Sequence, residues 1–199
     1  MFTEHMLPDG CRFSTGRLPD RLLLSPERFE ELWRLQPAGY AVVKIRGKAH
    51  QIRRKQQAYD RAYRFSGQTA AAMPLPTPLL PLLHWARANI DLLLDGVLVN
   101  WYDSELGHEI GGHSDEDEKL VPGSSIVTVS FGETRVFKLT KPGIPTQTFT
   151  ADDGRVFVMP LETNNLWKHA VPHRKAYHGR RISVTLRAFE PVPEGAGRK

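Results

Sequence analysis

The chain has 199 residues, 40% hydrophobic and 25% charged, with a formal net charge of +5. That length suits one domain with a full core, and the composition excludes a disordered chain, a collagen and a coiled coil. No apolar run approaches the ~18 residues of a membrane span, and the single cysteine, Cys11, excludes an internal disulfide and a cysteine-rich zinc site. One cysteine and no charged-then-apolar pattern at the N-terminus point to an intracellular, reducing compartment, cytoplasmic or, in a eukaryote, nuclear. A compact chain of this size is expected to be a monomer.

Residues 1–24 read as an irregular N-terminal arm. Ser25-Pro26-Glu27 starts a helix, with Ser at the cap, Pro at the first helical position and an acid in the first turn. That helix runs to about Gln36 and stops at Pro37 and Gly39. Tyr40–Ile45 is β-branched and short, a strand, and Gly47 marks a turn. His50–Tyr59 is ambiguous, Ala62–Ser66 is a short strand, and 70–81 is an Ala- and Pro-rich linker. Leu82–Leu94 reads as a second helix. Six β-rich runs follow between turn residues: Val97–Tyr102, Ser125–Phe131, Arg135–Leu139, Gln147–Thr150, Arg155–Met159 and Arg181–Phe189. Many short strands without long helices between them suggest a sandwich or barrel. The fold class is therefore α+β, with a helical front over 25–95, an all-β core over 96–190 and a flexible tail over 191–199.

Positive charge is clustered. Eight Lys/Arg between Lys44 and Arg64 face one acid, Asp60, and Lys168–Arg181 holds five Lys/Arg and three His with no acid. Such clusters suit either a polyanion partner or a solvated face.

Side chains at i and i+2 of an extended segment point the same way, so His113 and Asp115 can present a nitrogen and a carboxylate oxygen to one point. His169, beside a late β segment, is a candidate third ligand or a packed core histidine. Two His and one carboxylate with open positions suit non-haem Fe(II). His108 lies five residues from His113, a spacing that fits neither a helix face nor a strand face. Arg181, Ser183, Thr185 and Arg187 alternate with Ile182, Val184 and Leu186. Their polar face lies either in water on an edge strand or inside a barrel, where two arginines can hold the two carboxylates of a diacid. Asn100 and Tyr102 form a similar i, i+2 pair that can hydrogen-bond a carboxylate.

The order Asn-x-Tyr, His-x-Asp, His, Arg-x5-Arg resembles the AlkB family of Fe(II)- and 2-oxoglutarate-dependent dioxygenases. Pro122-Gly123-Ser124-Ser125-Ile126, Val129-Ser130-Phe131-Gly132, Arg54-Lys55-Gln56 and Tyr63-Arg64-Phe65-Ser66-Gly67 extend the resemblance over residues 25–189. It implies a double-stranded β-helix, or jelly roll, with a nucleotide-recognition lid in the helical front, the whole forming one domain over 25–190. It implies iron ligation by His113, Asp115 and His169, with O2 as co-substrate. Asn100, Tyr102 and Arg181 match the binders of the far carboxylate of 2-oxoglutarate. Arg187 matches the residue near its 1-carboxylate, with Ser183 and Thr185 on the same face. Ser183 stands where nucleic-acid-repair members usually carry Asn.

The implied reaction is oxidative demethylation of N-alkylated bases of the 1-methyladenine and 3-methylcytosine type in DNA or RNA, releasing formaldehyde and succinate. Phe65 and Tyr63 are expected to stack on the extruded base, with the His113 ring opposite. Asp117 matches the acid that contacts the exocyclic amine of the base, while Glu116 and Glu118 read as surface. Arg54 belongs to the substrate front, and the Lys44–Arg64 cluster, Lys48 included, is expected along the phosphates. Arg46 falls at the position of the aromatic finger of duplex-repairing members. Arg is no apolar wedge, which favours single-stranded over double-stranded substrate. A second reading keeps the iron and 2-oxoglutarate but acts on a protein, a lipid or a small molecule. A third is a nucleic-acid binding module with a dead metal site.

Overall fold

The computed structural model describes residues 1–191 except Arg46, Ser66 and Asp117. The expectations placed on Arg46, Asp117 and the tail beyond Pro191 lie outside the described residues. The strands and helices are β1 (Thr3–Met6), β2 (Arg12–Arg17), α1 (Pro26–Arg34), β3 (Val42–Ile45), β4 (Lys48–Gln51), β5 (Lys55–Tyr59), β6 (Tyr63–Phe65), β7 (Gln68–Ala70), β8 (Ala72–Met73), α2 (Leu80–Asn89), β9 (Gly96–Asp103) and β10 (Ile110–His113). There follow β11 (Ser125–Gly132), β12 (Arg135–Lys141), β13 (Ile144–Ala151), β14 (Arg155–Pro160), α3 (Leu161–Leu166), β15 (Lys168–Val171) and β16 (Arg180–Arg187).

Two sheets make the core. The larger runs β1-β2-β14-β11-β16-β9-β5-β8 and the smaller β10-β15-β12-β13; β3-β4 and β6-β7 form two separate hairpins. Strand alternation explains the layers. Val97, Val99 and Trp101 of β9, Val127, Val129 and Phe131 of β11, and Ile182, Val184 and Leu186 of β16 pack with Leu32 of α1 and Leu82, Leu83 and Ala86 of α2. The other face of the large sheet meets the small one, where Phe13, Ile126, Phe157 and Met159 pack against Phe137, Leu139, Ala151 and Val171. Each buried apolar side chain of this size contributes about 1.5–3 kcal/mol.

The first helix forms as its sequence dictates. Ser25 caps it, accepting from the Arg28 amide at 3.4 Å, Pro26 opens it, and Trp101 Nε1 donates to the Leu32 carbonyl near its end. Arg180 pairs with Glu30 and covers the rings of Phe29 and Trp33, pinning α1 to the start of β16.

Several expectations change. The first 24 residues are not irregular: β1 and β2 extend the large sheet through β14. One buried apolar side chain, Phe13, anchors β2, so alternation was too sparse to mark it. The 70–81 linker begins in β7 and β8, passes through a short 3-10 turn, Thr77–Leu79, and ends in the first turn of α2. The second helix ends at Asn89, and Asp91 then caps the turn by accepting from the Leu93 amide. The ambiguous 50–59 region holds the end of β4 and all of β5. The elements β10, α3 and β15 carry no sequence signal of their own, being short or rich in Gly and Asn.

β16 is central, flanked by β11 and β9, and Arg181, Ser183, Thr185 and Arg187 on its polar face are all buried, so that face is interior rather than turned to water. Gly132, at φ 82°, closes β11 where an added Cβ would collide with the Arg180 carbonyl oxygen and the Phe29 ring. Gly132→Ala should therefore lower stability by roughly 2 kcal/mol or more in urea denaturation. A loss below about 0.5 kcal/mol would contradict this packing.

Candidate active site

A cavity of 420 Å³ opens between the two sheets. At one end His113 and His169 face each other as paired residues of β10 and β15, with ring centroids 4.2 Å apart. Asp115 lies two residues beyond His113. Its Oδ1 is 3.6 Å from His113 Nε2 and 3.9 Å from His169 Nε2. The three ligand atoms lie within 4.8 Å of one another. Asp115 is past the end of β10, and fully buried Asn164 of α3 fixes its backbone. Asn164 Oδ1 accepts from the Asp115 amide at 2.8 Å, and its Nδ2 donates to the Asp115 carbonyl at 3.0 Å. His108 sits elsewhere, hydrogen-bonded to Tyr40 and the Asp103 amide.

The electrostatics keep the three groups ready for a cation. Burial would raise the Asp115 carboxyl, but Arg187, His169 and His113 outweigh it and hold it well below the usual carboxylate range. Arg187 donates to Oδ2 from Nε at 2.9 Å and Nη2 at 2.5 Å, and Tyr63 OH donates to Oδ1 at 2.9 Å. Burial, reinforced by His113, lowers His169 to about 3, and burial also lowers His113 against the pull of Asp115. Both imidazoles are therefore neutral at physiological pH, the form that binds metal. Two neutral nitrogens and one carboxylate oxygen, with other directions free, fit Fe(II).

At the opposite end of the polar face of β16 from Arg187 lies Arg181, fully buried. Its Nε donates to Ser130 Oγ at 2.8 Å, but among the described residues the buried Nη1 and Nη2 have no hydrogen-bond partner. Burial pulls its pKa down to about 10. A buried guanidinium that lines a cavity with both terminal nitrogens unpaired suits an anion. Tyr102 is beside it, the Arg181 guanidinium carbon 5.1 Å from the ring centroid. Asn100, Ser183 and Thr185 line the same cavity. These residues fit the far carboxylate of a diacid such as 2-oxoglutarate. Arg54 Nε donates to Asn100 Oδ1 at 2.9 Å, leaving the Nδ2 group of Asn100 as its remaining donor.

The front is partly brought together. Phe65 and Tyr63 stack with centroids 6.0 Å apart and both line the cavity. Phe65 stays partly exposed, whereas Tyr63 is 5% exposed with its hydroxyl committed to Asp115. Arg54 lies inside, on Asn100 and Gln56. Lys48 is exposed on the β3–β4 hairpin, away from the cavity lining. Glu116, read as surface, reaches the cavity and pairs with Arg64, which also holds the exposed Glu118. Much of the Lys44–Arg64 charge is thus locally matched: Arg53 pairs with Glu109 and Arg61 with Asp95. Such exposed pairs are worth about 0–1 kcal/mol, so a phosphate can displace them.

The sequence profile of the 2OG-Fe(II) oxygenase superfamily matches residues 31–187. The DNA oxidative demethylase ALKBH2 of Mus musculus is 33% identical over 168 residues, 76% of this chain and 68% of that protein. The Homo sapiens ALKBH2 is 32% identical over 163 residues, 74% of this chain and 60% of that protein. This chain is a member of the AlkB family. Another relative, alpha-ketoglutarate-dependent dioxygenase alkB homolog 3 of Mus musculus, is 30% identical over 149 residues, 68% of this chain and 51% of that protein. The chain thus spans from about half to just over two thirds of the length of these relatives. The solved structure of OsALKBH1 shares the fold, with a TM-score of 0.58 at 15% identity, covering 93% of this chain and 99% of that one.

Within this AlkB-family frame, residues that sequence reasoning missed hold the site together. Asn164 clamps Asp115 and Ser130 receives Arg181, while Tyr63, expected to stack on the base, and Arg187, expected near the 1-carboxylate, both grip the Asp115 carboxylate instead. Only the spacing of Arg187 on an alternating strand hinted at any of this. Ser183 lies in the sheet between Asn100 and Ser130, its neighbours on β9 and β11.

Proposed function

We propose that this chain is an Fe(II)- and 2-oxoglutarate-dependent dioxygenase that demethylates N-alkylated bases of the 1-methyladenine and 3-methylcytosine type in nucleic acid. The observation that carries the reading is the junction of two features in one cavity: a His-Asp-His cluster and a buried arginine with two idle donors. When bound, the iron would activate O2 with 2-oxoglutarate as the reductant: one oxygen atom would enter succinate as CO2 is lost, and the other would hydroxylate the N-methyl group, whose hemiaminal then releases formaldehyde and the base.

The chain's own residues do the rest. His113, Asp115 and His169 hold the metal. Arg187 and Tyr63 orient the Asp115 carboxylate, and Asn164 fixes its backbone. Arg181, Tyr102 and the Asn100 amide hold the far carboxylate, with Ser183 and Thr185 along the same face. Phe65 at the open end provides a stacking surface for an extruded base. The role of contacting the exocyclic amine of the base falls to Asp117 on the family resemblance alone, and Arg54 supports the front from within. The two relatives named DNA oxidative demethylases support a nucleic-acid substrate.

Single-stranded DNA or RNA is the proposed form, with Arg46 in place of an apolar wedge and Lys48 near the phosphates. An intracellular monomer with a single dioxygenase domain, whose core sheet takes in β1 and β2, completes the reading. Among the described residues no helix is long and apolar enough to cross a membrane.

Phe65→Ala tests the substrate side. Stacking is worth about 1–3 kcal/mol per base, so methylated-base turnover should fall about 5- to 150-fold while uncoupled succinate formation stays near wild type. Equal loss of both would make Phe65 a structural residue. Mass spectrometry of single-stranded and duplex oligonucleotides carrying 1-methyladenine reads both the reaction and the strand preference. Faster repair of the duplex would overturn the single-strand reading.

A further inference from the structure

Behind Tyr102 and Arg181 lies a second buried guanidinium. Arg135 opens β12 with its side chain fully buried. Nη1 donates to the His108 carbonyl at 2.6 Å, Nη2 to Ser104 Oγ at 2.6 Å, and Nε to Glu133 Oε2 at 3.2 Å. Its guanidinium carbon is 5.4 Å from the ring centroids of both Tyr102 and Tyr177. Tyr102 therefore has two guanidiniums within cation–π reach, Arg135 at 5.4 Å and Arg181 at 5.1 Å.

Glu133 extends the arrangement. Its Oε1 accepts from the amides of His178 and Gly179, each at 2.7 Å, in the turn that leads into β16 and so to Arg181. The Ser104 amide donates to the Gly179 carbonyl at 3.1 Å. One partly buried ion pair thus joins the chain leaving β9 just after Tyr102, the start of β12, and the turn just before Arg181.

The two arginines differ in what they lack. Arg135 has a countercharge and hydrogen bonds from all three of its nitrogens. Among the described residues Arg181 has neither an ion-pair partner nor hydrogen-bond partners for its terminal nitrogens. Arg135 and Glu133 cancel, which leaves the charge of Arg181 for a ligand.

We propose that Arg135 is a positioning residue for the oxo-acid site. By stacking on Tyr102 and, through Glu133, anchoring the turn before Arg181, it fixes the aim of both groups at the far carboxylate. It thereby sets the preference for a dicarboxylate over a monocarboxylate oxo acid. This rests on the assignment of Arg181 and Tyr102 made above.

The test is equilibrium binding to the Mn(II)-loaded full chain, with 2-oxoglutarate and pyruvate as probes and the melting temperature recorded alongside. Arg135→Met should weaken 2-oxoglutarate about tenfold, the scale of a lost desolvated cation–π contact, with Mn(II) and pyruvate binding unchanged. KM for 2-oxoglutarate should rise while kcat at saturation holds. Arg135→Lys should recover part of the loss, because the charge returns without the planar fork. Unchanged 2-oxoglutarate affinity in folded Arg135→Met, or equal weakening of pyruvate, would overturn the proposal. If Arg135→Met does not fold, Glu133→Gln decides on the same readout: selective weakening of 2-oxoglutarate supports it, and no selectivity overturns it. Arg181→Met separates the two layers. If it leaves 2-oxoglutarate affinity unchanged, the site assignment itself fails. If it weakens binding and the Arg135 variants do not, only the positioning role fails.

Discussion

Asp115→Ala is expected to abolish turnover and also to destabilise the fold, whereas His113→Ala is expected to abolish turnover alone. The contrast follows from what each side chain holds. The Asp115 side chain is 1% exposed, and its two oxygens receive Arg187 and Tyr63. Removing it leaves the Arg187 guanidinium, itself 4% exposed, without its countercharge. Breaking a buried pair in this way costs about 3–5 kcal/mol, a large part of the stability of a typical domain. The His113 side chain is 32% exposed and makes one hydrogen bond, to the Gly111 carbonyl at 2.9 Å. Its loss removes a ligand and little else. Succinate production and thermal denaturation of both variants, side by side, check the pair. Succinate at the wild-type rate from His113→Ala would remove the metal assignment. Equal melting temperatures for the two variants would show that Arg187 does not depend on Asp115.

Arg181→Met is expected to weaken 2-oxoglutarate about 30-fold or more without lowering the stability of the ligand-free protein. Two magnitudes decide the signs. Truncating one partner of a buried hydrogen-bonded charge pair costs about 2–5 kcal/mol of binding. Without ligand, however, Arg181 is a buried charge with two unpartnered nitrogens and one hydrogen bond, to Ser130. Replacing such a charge with an apolar side chain of similar volume is often neutral or stabilising. The melting temperature without oxo acid should therefore hold or rise, while the dependence of turnover on 2-oxoglutarate shifts to much higher concentration. A lower melting temperature with unchanged 2-oxoglutarate dependence would make Arg181 structural and place the diacid elsewhere.

The site's chemistry was more legible in the sequence than its support. His113 and Asp115 could be read locally, because two residues of spacing in an extended segment already put both side chains on one side. Arg181 and Arg187 could be read as one face of β16. That the face is interior could not be read, since the sequence does not say that β11 and β9 flank β16. Asn164 and Arg135 were invisible for the same reason. Each acts across the fold, on a residue 49 positions away for Asn164 and 31 for Arg135 with Ser104. The N-terminal strands were hidden because β2 buries one large apolar residue, Phe13, and takes its order from pairing with β14. The charge clusters misled in a different way. Counting Lys44–Arg64 finds eight cations, but only the folded chain shows which face acids and which, like Arg54, turn inward.

The central claim is that the His113–Asp115–His169 cluster and the Arg181 cavity together drive oxidative loss of a methyl group from a nucleobase. Formaldehyde release tests it most directly. The protein is incubated with Fe(II), ascorbate, O2 and 2-oxoglutarate, and with single-stranded oligonucleotides carrying 1-methyladenine or 3-methylcytosine. Formaldehyde and succinate are expected in equal amounts, with formaldehyde lost when any component is omitted. Succinate without formaldehyde from any methylated oligonucleotide, by protein shown to hold iron, would contradict the substrate. Neither product from such protein would contradict the enzyme.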